Sequence, residues 1–178
     1  ATYSIENFAQ SYSPERFLLL PKRFNWCWIW RRIYKRELIG DTRFIPEFTS
    51  LGEDLTFMLD ISHRAKSIAE CDNICVYHRV HKNNVTRQAF SVDSFNWFPV
   101  YFKHIHDNLI DKYNHVFWKR FYSDSFRYLI SETIINPKRF NTAKAESKLA
   151  VLESCKYIPR RYLRPRQRFL CWFLSCLK

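Results

Sequence analysis

The sequence predicts a mixed α/β region over residues 1–90 that gives way to an all-helical extension over 91–159 and a basic tail over 160–178. Three observations predict it. Trp26, Trp28 and Trp30 recur at period two, as residues on one face of an extended strand do. Lys66–Glu70 and Ile74–Arg79 read as short strands around an Asp72-Asn73 turn. Beyond residue 91 the apolar positions fall three and four apart, and Pro137 and Pro159 interrupt them. The 178 residues suit one domain with a sizeable core.

The first twenty residues read as a polar start and a short helix opened by Ser13-Pro14-Glu15, with Ser as cap and Pro in the first turn. Phe24–Trp30 presents its tryptophan face either to the core or, as a stacking platform, to a sugar ring or base. A helical turn over Arg31–Ile39 follows and Gly40-Asp41 closes it. Arg43–Glu47 is a short extended piece that Pro46 confines to an edge or loop.

Ser50–Arg64 is the stretch on which a chemical reading turns. Ser50 and Glu53 have capping-box spacing, and Leu55, Met58, Leu59 and Ser62 mark one buried helical face. Glu53 and Asp54 then stand in the first turn, where the helix dipole and open N–H groups keep a carboxylate ionised. Such a group either caps and solvates the helix or serves as a general base. The loop Arg79–Arg87 gathers Arg, His, Lys and amide groups, as a solvated loop or a phosphate site does.

Pro99 opens a helix carrying Val100, Phe102, Ile105 and Leu109. A second runs over 111–135 with Val116, Phe117, Phe121, Leu129 and Ile130, and a third from Asn141 or Thr142 to about Cys155. His104, His106 and Asp107 are metal-ligand types, yet neighbours two apart diverge on a helix, which favours a solvated face. Five arginines precede Phe169–Leu174 and predict a basic, aromatic terminal helix. It lies in an anionic membrane interface or packs on the domain with its arginines in water.

Composition narrows the function classes. Two glycines, and no G-x-G-x-x-G or G-x-x-x-x-G-K-[ST], exclude a glycine-rich phosphate loop in this sequence. A net charge of +12, with no acid after Glu153, favours anionic partners: acidic lipid, phosphorylated substrates or nucleic acid. Nucleic acid is the least favoured, since the aromatics follow core-like periods and no nucleic-acid motif occurs. Cys27, Cys71, Cys75, Cys155, Cys171 and Cys176 form no C-x-x-C pair and read as reduced, mostly buried thiols of a cytosolic protein. No signal peptide is visible, and the apolar run Phe169–Leu177 falls short of the roughly 20 residues of a membrane span.

Four segments resemble, in order and spacing, the second half of bacterial family-2 inverting glycosyltransferases. They are Trp30–Ile39 against W-N-K-L-Y-K-R-E-L-L, Arg43–Glu47 against R-F-P-E, Glu53–Phe57 against E-D-L-x-F, and Tyr77–Thr86 against Y-R-x-H-x-x-N-[VI]-[ST]. The resemblance covers residues 20–90 and implies a partial GT-A fold (nucleotide-diphospho-sugar transferase-like) lacking most of its N-terminal nucleotide-binding half. It implies Asp54 as the catalytic base, Glu53 and Trp30 on the acceptor side, and Arg79 and His81 at the donor diphosphate. It also implies a divalent metal, Mg or Mn, with His81 a candidate ligand.

The implied activity is hexosyl transfer from a nucleotide sugar to a glycan or lipid-linked hydroxyl in cell-surface polysaccharide or lipopolysaccharide synthesis. Its implied place is the inner face of the cell membrane, touched through 160–178. The family's acidic D-D-x-S-x-D-like turn and D-x-D metal motif are missing from this sequence, and two positions of the W-N-K-L-Y segment are arginines. These departures, with a first residue that is Ala1, predict a fragment, a split subunit or a degenerate member, inactive as the isolated chain. A catalytically inactive membrane- or partner-binding module is the alternative.

Overall fold

The computed structural model describes residues 8–18, 29, 32–48, 52–71, 97–131 and 144–176, and the structural statements below concern these residues. Ser13 and Pro14 open α1 (Pro14–Leu18) as their types predict: the Arg16 N–H donates to Ser13 Oγ at 3.3 Å. Just before it, β1 (Phe8–Tyr12) runs antiparallel to β2 (Ile68–Cys71), pairing Gln10 with Glu70 and Tyr12 with Ile68 across a bulge near Phe8. The β2 strand overlaps the anticipated Lys66–Glu70 run, starting two residues later and ending at Cys71, but β1 was not anticipated. Phe8-Ala9-Gln10-Ser11-Tyr12 has no β-branched residue to announce a strand. The Asp72-Asn73 turn, the Ile74–Arg79 run and the tryptophan strand (Ile29 apart) lie outside the described residues.

The helical turn expected over Arg31–Ile39 is shorter: α2 spans Arg36–Ile39, and Lys35 before it is extended at φ −66°, ψ 135°. The cause is Tyr34, whose hydroxyl donates to Ile29 O at 3.2 Å and contacts Met58 Sδ at 3.1 Å, committing this segment to side-chain contacts across the fold. Gly40 closes α2 at φ 52°, its N–H bonded to Arg36 O at 3.0 Å.

The acidic helix α3 spans Glu53–Ser62. Its N-cap is Gly52, which makes no side-chain cap bond; Ser50, the first member of the expected capping box, lies outside the described residues. Gly52 has φ 94°, and a Cβ there would stand 2.9 Å from both Phe48 and Trp97 ring carbons. Both backbone and space therefore require glycine. Met58, Leu59 and Ser62 are buried as their spacing predicts, but Thr56, Phe57 and Ile61 are buried too. The helix is a wedge between two clusters: Leu59 joins the main core, while Phe57, Met58 and Ile61 pack with Ile29, Tyr34, Leu38 and Ile39.

The main core is aromatic and mostly helical. It is built from α4 (Trp97–Asn108), α5 (His115–Ile130), α6 (Lys144–Lys156) and α7 (Pro165–Cys176), with a 3-10 turn, Arg160–Tyr162, ahead of α7. Pro99 sits within the first turn of α4, where its missing N–H has no intrahelical partner to lose. Asn114 caps α5 by accepting from the Phe117 N–H at 2.9 Å, so that helix starts at His115 and not at 111. Trp118, Tyr122, Phe117 and Phe102 are fully buried, and the Trp118 indole N–H donates to Ile110 O at 2.8 Å. Val116, expected inside, points out from α5 and is 69% exposed.

Tyr12, Phe17 and Leu18 from the N-terminal segment, Leu59 from α3, and Leu163 and Cys171 from the C-terminal one all enter this core. The described parts of segments 1–90, 91–159 and 160–178 thus contribute to one main apolar cluster, beside the smaller one around Phe57, Met58 and Ile61. Among the described cysteines whose side chains are placed, Cys155 and Cys171 are buried free thiols as expected, whereas Cys176 is exposed.

Candidate functional site

The candidate site forms where Ile29, Arg32 and Tyr34 meet the first half of α3. Gly52 starts the helix, so Glu53 and Asp54 occupy its first two positions. Thr56 turns its hydroxyl back to Gly52 O and Glu53 O, both at 3.1 Å, and stiffens that turn. The Tyr34 contacts to Ile29 O and Met58 Sδ hold the crossing segment in place, and its ring meets Phe57 edge-on at 6.4 Å. Phe44 stacks on the same Phe57 at 4.8 Å.

Asp54 is half-buried in this corner. Burial pushes its carboxyl above the ordinary 3.8, and the neighbouring Glu53 charge pushes it further; a backbone hydrogen bond from Ile29 and the Arg32 guanidinium pull it back. Burial at the crossing thus opposes the stabilisation of the carboxylate expected from the helix N-terminus, and the net direction is upward from the ordinary value. The Tyr34 phenol is likewise raised by burial, opposed by Arg32 and reinforced by Asp54. Glu53 Oε2 is shielded from solvent and has no hydrogen-bond partner among the described residues. An unpaired carboxylate oxygen beside a half-buried carboxyl is an acceptor still open to a hydroxyl or amide donor.

The far end of α3 is tied to the helical core. His104 Nε2 lies 2.8 Å from Asp60 Oδ1, and the Tyr113 hydroxyl donates to Leu59 O at 2.6 Å. His104 therefore bridges α4 to α3 and does not stand on a solvated face, while His106 and Asp107 pair with each other at 2.9 Å. His63, at the helix end, is held below its ordinary value by burial first and then by Arg64 and Lys112.

Of the residues singled out in the sequence, Glu53 and Asp54 come together here, whereas Trp30, Arg79 and His81 lie outside the described residues. Among the described residues no three His, Cys, Asp or Glu side chains converge to hold a metal ion. No family model matches this sequence, and no curated protein or solved structure matches it either.

Two neighbours of Asp54 were not singled out. Arg32 occupies one of the positions at which the sequence departs from the W-N-K-L-Y pattern, and the departure places a guanidinium beside the carboxylate. That guanidinium also lies 5.3 Å from the Phe17 ring centroid. Tyr34 was visible as part of a helical-looking run and of the W-N-K-L-Y segment, but not as a neighbour of Met58, twenty-four residues away, whose Sδ its hydroxyl meets.

Proposed function

We propose that this chain supplies the acceptor side of a sugar-nucleotide-dependent glycosyltransferase, with Asp54 as the general base. The observation that carries the reading is the half-buried Asp54 carboxyl, raised by burial and by Glu53 and restrained by Arg32 and the Ile29 backbone. Proton transfer to a positioned base is worth about 10²–10⁴ in rate, and a carboxylate that binds protons more tightly than usual while still ionised takes the hydroxyl proton more readily. As the acceptor oxygen bonds to the anomeric carbon, its proton passes to Asp54 and the bond to the departing diphosphate breaks. Glu53 Oε2 accepts from a neighbouring acceptor hydroxyl and orients it. Arg32 keeps Asp54 ionised before attack. Trp30, Arg79 and His81 keep the acceptor and diphosphate roles that the family resemblance gives them, and the product is a cell-surface glycan or lipid-linked saccharide.

The test is transfer itself. The protein expressed from its complete reading frame is incubated with membranes and a panel of labelled nucleotide sugars. Label in a lipid or glycan fraction supports the reading, and no incorporation from any donor overturns it.

A second reading, an inactive module that sits on an anionic membrane, is favoured by α7. Phe169, Trp172 and Phe173 are 66%, 46% and 47% exposed and, with exposed Cys176, share the outward side of the helix at spacings of three and four. Among the described residues no helix is long and apolar enough to cross a membrane. A short helix with outward aromatics and nearby arginines suits the bilayer interface. Tyr162, Leu163 and Cys171 of the same segment are buried, so deleting 160–178 would unfold the core. Replacing Phe169, Trp172 and Phe173 by Ala is the cleaner test: retained sedimentation with anionic vesicles would contradict this reading.

A further inference from the structure

Along the outward side of α5 runs a second feature that the Asp54 site does not use. Lys119, Arg120 and Arg127 line a cleft of about 520 Å³ whose opposite wall is Arg164, from the turn ahead of α7. Its one acid, Asp124, pairs with Arg127 at 3.1 Å, so the concavity carries a surplus of three positive charges.

The opposing wall is fixed in place. Ser123 Oγ donates to Gln167 Oε1 at 2.9 Å, Gln167 Nε2 donates to Ser123 O at 2.8 Å, and the Arg164 N–H donates to the same Gln167 Oε1 at 3.0 Å. Ser123 is only 5% exposed, which makes this clasp a protected one. Gln167 thus holds Arg164 against α5 and keeps four cations around one cleft. Like charges so gathered repel, and a concave surface focuses their field, so an anion that neutralises them is attracted.

We propose that this cleft binds a phosphate-bearing ligand. Guanidinium groups match phosphate oxygens in pairs, and a tetrahedral dianion offers enough acceptors to engage groups on both walls at once, which a single carboxylate does not. The phosphate is either that of a lipid headgroup or a soluble one. The proposal is independent of the role of Asp54.

Calorimetric titration of the full chain with inorganic pyrophosphate at low ionic strength tests it. One saturable site is expected, weakened at least tenfold in Arg120→Gln/Arg164→Gln and little changed in Arg36→Ala/Lys66→Ala, which removes the same charge elsewhere. Arg120→Lys/Arg164→Lys keeps the charge and should retain intermediate binding, which separates lost contacts from lost folding. Equal weakening in both charge-removing variants, or no saturable site, would overturn the proposal. Vesicles of phosphatidylcholine with and without phosphatidic acid identify the source. Competition with pyrophosphate that vanishes in the cleft variant marks a headgroup, and pyrophosphate binding that leaves vesicle binding unchanged marks a soluble phosphate.

Discussion

The Tyr34 hydroxyl lies 3.1 Å from Met58 Sδ, and this contact ties the segment carrying Arg32 to the helix carrying Asp54. It adds a polar contact to the packing of Ile29, Leu38 and Ile39 on Phe57, Met58 and Ile61. The acid–base character of Asp54 is in this sense a product of packing one turn further along α3.

Tyr34→Phe removes the hydroxyl and keeps the ring. A stability loss of about 1 kcal/mol is expected in urea unfolding, and transfer should fall by more than that loss explains, because Arg32 loses its fixed place. A variant as stable and active as the wild type would detach Tyr34 from the site.

Gly52→Ala tests the start of α3. The left-handed φ of 94° and the 2.9 Å approaches of Phe48 and Trp97 both oppose a side chain, and the expected cost is about 2 kcal/mol. Chemical denaturation with an unchanged slope measures it directly. An unchanged midpoint would mean that the helix can start elsewhere.

The raised Asp54 carboxyl has a consequence for pH. A folded value above the ordinary 3.8 means that the native state holds the proton more tightly than the unfolded chain. Stability contributed by the protonated form is therefore present below about that value and is lost as pH rises through the folded one. Asp54→Asn should raise the melting temperature at neutral pH relative to the wild type and flatten the pH dependence just above 3.8. A lower melting temperature at neutral pH would contradict the balance of forces assigned to this carboxyl.

Arg32→Ala removes a cation that holds Asp54 down. The carboxyl should move further up, and the acidic limb of the pH–rate profile should shift to higher pH with it. A limb that stays in place would take Arg32 out of the electrostatics of the site.

The helices were legible because their signals are local. Ser13-Pro14, Gly40 and the aromatic spacings of α4 and α5 act within a turn or two of themselves. The register of β1 on β2 was not, since Tyr12 and Ile68 lie 56 residues apart in the sequence. Within the site, the adjacent Glu53 and Asp54 stood out, while Arg32 and Tyr34 did not. Their roles arise from a crossing that depends on Met58 and Phe57, and no short window contains both sides of it. The upward direction of the Asp54 carboxyl was not legible for the same reason: a helix start shows the dipole, but desolvation requires the neighbour that covers the group.

The most direct measurement is sugar transfer by Asp54→Asn, made in the protein expressed from its complete reading frame, with melting temperature read alongside. General-base catalysis by Asp54 predicts at least a hundredfold loss of kcat in a protein that melts no lower than the wild type. Transfer near the wild-type rate from a folded Asp54→Asn protein would contradict it.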